Sequence, residues 1–275
     1  MSEMSAICFT AKNEFSRVLR HPMMWVIICV LLMMTLLDGA AIASQLLSTQ
    51  KYVVLYRLSP EEMLYSGIGN VFYNTLLYLT ILSLFIGVSA LSEERSNGAL
   101  RVLITKPLFK RDIMLGKYLG TCGLIFSIIA VDITLLFSML ALMLQDYSIR
   151  SMPEILLRMS FLIILIFLSS SLMLGLTMFF GALTKSLFGT LICCVSYLYF
   201  EWYMQVPGII SQLWFSPSRL LFSAYAIGDV NLLNPKFPFS MWLNAALPYI
   251  MLMILELMLI VILDCIVFGI IEESG

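Results

Sequence analysis

SEERSNGALRVLITKPLFKRDIMLGK, residues Ser92–Lys117, is the stretch on which the reading of the whole chain turns. It is a basic interruption, broken by glycine and proline, between two long apolar runs. It carries Arg95, Arg101, Lys106, Lys110, Arg111 and Lys117, six of the sixteen Lys and Arg residues. Around it, 61% of residues are apolar, 12% are charged, and the mean hydropathy is +0.98. A soluble domain has roughly 45–50% apolar and about 25% charged residues. A chain this poor in charge cannot cover its apolar surface with water-facing groups, so it is an integral membrane protein.

Working outward, six stretches satisfy the requirement of about 20 mostly apolar residues per membrane-crossing helix. They are Met23–Ala43, Val71–Leu91, Ile113–Leu144, Ile155–Leu183, Leu187–Met204 and Leu243–Ile270. No strand-like alternation runs through them, which favours a helical bundle over a barrel. The fold class is therefore all-α: a polytopic membrane protein with six transmembrane helices, an N-terminal amphipathic helix and short external re-entrant helices. Its parts are residues 1–22, the leading helix, and 23–275, the six-span domain, with a cytoplasmic loop over 92–117 and an external aromatic segment over 205–242.

Lys and Arg gather on the cytoplasmic side of membrane proteins. With the N-terminus inside, Lys12, Arg17, Arg20, the six residues of the loop and Lys185 are cytoplasmic. Lys51, Arg57, Arg150, Arg158, Arg219 and Lys236 then lie outside, over longer loops. Six spans return the C-terminus to the cytoplasm, which makes this a multi-pass cell-membrane protein with both termini inside. Ala41-Ile42-Ala43 resembles a signal cleavage site, but the long leader and Asp38 weigh against one.

Before the first span, Ile7, Ala11, Phe15 and Val18 recur at helical spacing, with Lys12, Glu14, Arg17 and Arg20 at other positions. This predicts an amphipathic helix in the headgroup plane, and Pro22 marks the sharp turn into the span. Ser59-Pro60-Glu61-Glu62 reads as the start of a small external helix, and Ser216-Pro217-Ser218-Arg219 as the start of another that Gly228 can end.

Several chemistries are excluded. His21 is the only histidine and it precedes the first span, so there can be no two-histidine metal site and no Ser-His dyad within the membrane. Glu93-Glu94 lacks the Arg and the histidines that a paired-glutamate membrane protease needs, and no Gly-x-Gly-Asp signature is present. There is no Gly-rich Lys-Ser/Thr phosphate loop, so ATP-driven work needs a partner. Five of six cysteines fall within spans, which implies no disulfide framework, and no basic-aromatic groove for nucleic acid is visible. The chain is not expected to be an enzyme and has no cofactor of its own.

Within the loop, Glu93 and Glu94 mark the end of the second span and Asn97-Gly98 breaks the helix. Ala99–Thr105 reads as a short amphipathic helix with Leu100, Leu103 and Ile104 on one side and Arg101 off it. Pro107 stops it, and Lys110-Arg111-Asp112 leads into the third span. Gly116-xxx-Gly120 follows, a small-residue face that lets another helix approach closely. Such an element is shaped to be gripped by a partner. An ordinary basic loop lying on anionic lipid fits its charge equally well.

These residues resemble the coupling segment of the type-2 ATP-binding-cassette (ABC) exporter permeases. Their pattern runs Glu…Gly-Thr-Leu…Leu-Leu…Pro…Arg…Gly-Lys; here Ala99 replaces the Thr and Ile104 one of the Leu residues. The layout is similar too: an amphipathic leading helix, six spans and short external helices before the last span. The resemblance implies a permease subunit paired with a second copy or a homologue, and with two copies of a cytoplasmic ABC ATPase subunit that bind ATP and Mg. Glu93, Glu94, Gly98, Leu100, Arg101, Leu103, Pro107, Lys110, Arg111 and Lys117 would form the ATPase-coupling joint, and the helix around Phe15–Arg20 a second contact. Asp132, Glu256 and Asp264 are intramembrane carboxylates, functional candidates by their location and also candidates for interhelical pairing, with Thr134 or Tyr199 as possible hydroxyl partners. They support the alternatives of a proton-coupled secondary carrier or, without transport, a membrane adaptor. The substrate is not readable.

Overall fold

The computed structural model describes residues 3–48, 60–93, 110–143, 152–184, 186–203, 216–228 and 230–273. An N-terminal helix, α1 (Glu3–Arg20), is followed after His21 by α2 (Pro22–Ser48). Then come α3 (Pro60–Val88), closed by a π-helical turn at Ser89–Glu93, α4 (Lys110–Met143), α5 (Met152–Thr184) and α6 (Leu187–Tyr203). The short α7 (Pro217–Tyr225) and a two-residue hairpin, β1 (Ala226–Ile227) with β2 (Val230–Asn231), precede the final α8 (Phe239–Glu273). The expected all-α membrane architecture is observed.

Among the described residues, five helices are long and apolar enough to cross a membrane: α2, α3, α4, α5 and α8. The sixth expected span, α6, has 17 residues, at the lower limit of spanning length. Lipid is as apolar as leucine, so close packing and internal hydrogen bonding, rather than exclusion of water, hold such a bundle together. Helix α5 is its centre, packed against α3, α4, α6 and α8. Several hydroxyls within the spans bond the preceding turn, as in Thr80 to the Leu76 carbonyl, Ser83 to Leu79 and Thr177 to Met173.

Two expectations about connections are corrected. Pro60 does not open a separate external helix; it opens the second span, which runs unbroken to Val88. Proline is tolerated in a first turn because its missing N–H would have had no partner there. Gly228 does not end α7, which stops at Tyr225. It takes a positive φ of 59° between the two short strands, a conformation that needs glycine. The start of α7 is as read: Ser216 caps it, its hydroxyl accepting from the Arg219 N–H, and Pro217 follows.

Candidate functional site

The end of the bundle that carries α1 is built around one buried ammonium. Lys117, on the second turn of α4, is 1% exposed. It donates to Glu14 of α1 at 3.2 Å and to the backbone carbonyl of Ala90, in the π-helical turn, at 3.1 Å. Glu14 is itself buried, and Arg17 one turn later donates to both of its oxygens, at 2.6 Å to Oε1 and at 3.1 Å to the Oε2 that Lys117 also reaches. A buried ion pair persists only where hydrogen bonds offset its desolvation; here the π-helical carbonyl and the bidentate Arg17 provide them.

The knot can form because α1 lies directly on α4. A Cβ at Gly116 would fall 2.6 Å from Thr10 Cβ and 3.1 Å from the Ile7 carbonyl oxygen. At Gly120 it would fall against the Ala11 carbonyl oxygen and 3.0 Å from Glu14 Cβ. The backbone of α1 therefore occupies the space that side chains at these two positions would need. The helix that meets the small-residue face is the leading helix. Glu14, expected on the water-facing side, lies instead in the packed face, on the 3–4 stripe that Ile7, Ala11 and Val18 define. Its spacing carried that signal; its charge masked it.

Lys117 thus joins α1, the π-helical turn and α4 close to Glu93 and Lys110, the two positions that flank residues 94–109. Of the expected coupling residues, Glu94, Gly98, Leu100, Arg101, Leu103 and Pro107 lie outside the described residues. Glu93 closes the π-helical turn and Lys110 opens α4. Arg111 is exposed and pairs with the buried Asp112 at 3.4 Å.

The opposite end is held by a second buried cation that sequence counting assigned to a loop. Arg158, 0% exposed on α5, donates to Glu154 at 2.6 and 3.2 Å. It also donates to the carbonyls of Leu232 (2.6 Å), Asn234 (3.2 Å) and Phe237 (2.6 Å). The Tyr65 ring lies 5.6 Å beneath its guanidinium. This fork fastens the chain between the hairpin and α8 onto the bundle. Glu201, at the end of α6, accepts from the Ser216 hydroxyl and the Ser218 N–H, holding the N-terminus of α7. The Trp242 indole donates to the Ala224 carbonyl at its other end. Phe72 stacks on Tyr225 at 4.4 Å, so the described part of the aromatic segment, from Ser216 on, is a packed cap.

The three intramembrane carboxylates are not brought together. Asp132 is fully buried, and neither of its oxygens has a hydrogen-bond partner among the described residues. The same holds for Asp264, on α8, which faces Tyr118. Glu256 and Glu201 both lie near Tyr197. The expected hydroxyl partners are elsewhere: Thr134 donates to its own helix at the Ala130 carbonyl, and Tyr199 is 60% exposed. Among the described residues, no group of three or more His, Cys, Asp or Glu could hold a metal ion.

A family model described as "ABC-2 family transporter protein" matches residues 9–268. No curated protein matches the chain.

Proposed function

Because the chain belongs to the ABC-2 transporter family, as a membrane permease component that associates with an ABC ATPase subunit, we propose that it couples ATP hydrolysis by that subunit to export. Two permease copies, or one copy and a homologue, would pair with two ATPase subunits that hold the ATP and Mg. The end carrying α1 would face the cytoplasm, and α6 would complete six spans. Residues 94–109 would be the element that the ATPase moves. Direction of transport and stoichiometry belong to the same proposal.

The observation that carries this reading is the Lys117 knot. A loop that transmits force must be anchored at both ends to something stiff. Lys117 reaches Ala90 on the incoming side of the loop while standing on the outgoing side, and it ties both to α1 through Glu14. A push on the loop would therefore shift α1, α3 and α4 together rather than dissipate in a flexible connection. Packed elements tend to switch between discrete arrangements, which suits rigid-body rocking.

The test reverses the loop's charge. Arg101→Glu with Lys110→Glu should abolish co-purification with the ATPase while membrane insertion is unchanged. If the doubly substituted permease still brings down its ATPase, the coupling assignment is wrong. Transport that persists without any ATPase but stops in Glu256→Gln would instead support a secondary carrier.

A further inference from the structure

Far from the knot, in the opposite half of the bundle, α2 and α3 carry a polar cluster that none of the contacts above explains. Asp38 Oδ2 accepts from the Asn74 amide at 3.0 Å and from the Tyr78 hydroxyl at 3.3 Å. Among the described residues both donors converge on that one oxygen. The cluster is not sealed: Asn74 is exposed and Asp38 only half-buried. Yet all three residues fall within the apolar membrane-crossing windows of their helices.

Depth makes this costly. Asp38 lies four residues before Ile42, where the apolar stretch of α2 ends, about 6 Å along the helix axis, and its partner Asn74 lies nine residues inside the apolar stretch of α3 that begins at Tyr65, about 14 Å along that helix. Lysine and arginine can reach the interface from such a depth on long stems; aspartate, with a single methylene, cannot. A carboxylate and a primary amide open to acyl chains would lose their hydration without replacement, and ionisable groups at membrane depth line a protein interior or a water-filled space. One turn before Asp38, Thr35 is buried on the same side of α2 and faces Asp132, whose two unpartnered oxygens continue the polar column inward. The two carboxylates, with Asn74, Tyr78 and Thr35, have no Lys or Arg among the contacts that describe them.

We propose that Asp38, Asn74 and Tyr78 line a water-filled recess open to the side away from α1, and that this recess admits cations, binding the protonated amine or other cationic group of the transported molecule. The cargo clause rests on the permease reading. Water access and charge preference do not, and they are measured without knowing the cargo.

The test uses thiol chemistry, which proceeds through the thiolate and needs water. In the intact complex, Asn74→Cys is exposed from the far side to membrane-impermeant methanethiosulfonates bearing either trimethylammonium or sulfonate. Leu255→Cys, on the exposed apolar face of α8, serves as the lipid-facing reference. Labelling at position 74 should be at least about tenfold faster than at 255, and about tenfold faster with the cationic reagent, as expected for a carboxylate within several ångströms in a partly aqueous setting. Adding Asp38→Asn should collapse that preference to near unity. Ala41→Cys, exposed one turn along α2, repeats the measurement should substitution at Asn74 impair folding. Labelling no faster than at 255, or a charge preference indifferent to Asp38, overturns the proposal. ATPase association is read separately, so its loss leaves the recess standing, and a failed recess leaves the coupling joint standing.

Discussion

Lys117→Met is the most revealing perturbation of the joint because it keeps the side chain's bulk and removes only its charge and donors. Glu14 would remain 4% exposed and lose one of two cationic partners. Breaking a fully buried pair costs about 3–5 kcal/mol. Arg17 still offers Glu14 two bonds, so the expected loss is nearer 2–3 kcal/mol, including about 1 kcal/mol for the Ala90 carbonyl left without its donor. Glu14→Gln is the harsher change, since it sets a neutral amide against the buried ammonium where a carboxylate stood; it should cost about 3–5 kcal/mol. The double variant removes both charges at once and should cost less than the sum by about 1–3 kcal/mol. The assay is chemical denaturation of the purified permease in mixed micelles, with ATPase co-purification followed in parallel. Additivity within about 0.5 kcal/mol would mean that the two residues do not interact, and the joint as described would be refuted.

Three further predictions bear on the geometry. Gly120→Val should displace α1, lowering stability by about 2–3 kcal/mol or more and opening Arg17 and Arg20 to trypsin. Gly123→Ala, whose Cβ meets nothing nearer than a Phe15 ring atom at 3.8 Å, should be stabilising by about 0.5–1 kcal/mol. Arg158→Lys replaces a planar fork by a point charge that cannot serve Glu154 and three carbonyls together. It should loosen the cap by about 2–4 kcal/mol, detected as faster cleavage by a lysine-specific protease at Lys236.

What the sequence disclosed follows from where single-residue chemistry and packing agree. The spans were legible because twenty apolar residues have few other destinations, and the start of α7 because Ser216-Pro217 is a local device needing no tertiary partner. The start of α3 was hidden because Glu61, Glu62, Gly67, Gly69 and Asn70 lower the hydropathy of its first turns, although they continue one helix. Gly116 and Gly120 announced a close approach but not which helix would make it, since nothing local distinguishes a leading helix from a neighbouring span. Arg158 and Glu201 were unreadable as anchors. The distant partners that make them anchors are largely backbone atoms, three carbonyls for Arg158 and the Ser218 N–H for Glu201, which every residue supplies, so no side-chain pattern points to them. Lys117 was named for its place in a motif, and its burial against Glu14 depends on a contact across 103 positions of chain.

The two buried cations also differ in when they can be satisfied. Glu14 and Ala90 have both been synthesised by the time Lys117 emerges from the ribosome, so the first knot can tie as soon as α4 enters the bilayer. Arg158 has the reverse problem: its last acceptor, the Phe237 carbonyl, is 79 residues downstream. At about 5–20 residues per second that is roughly 4–16 s of translation. For most of that interval the guanidinium has Glu154 and the Tyr65 ring but none of its three carbonyl acceptors, and α5, α6 and α7 must be held near their final places before the lock arrives. Biogenesis of this protein therefore has a built-in vulnerable window, opening with Arg158 and closing with Phe237, in which an insertion factor would have its greatest effect.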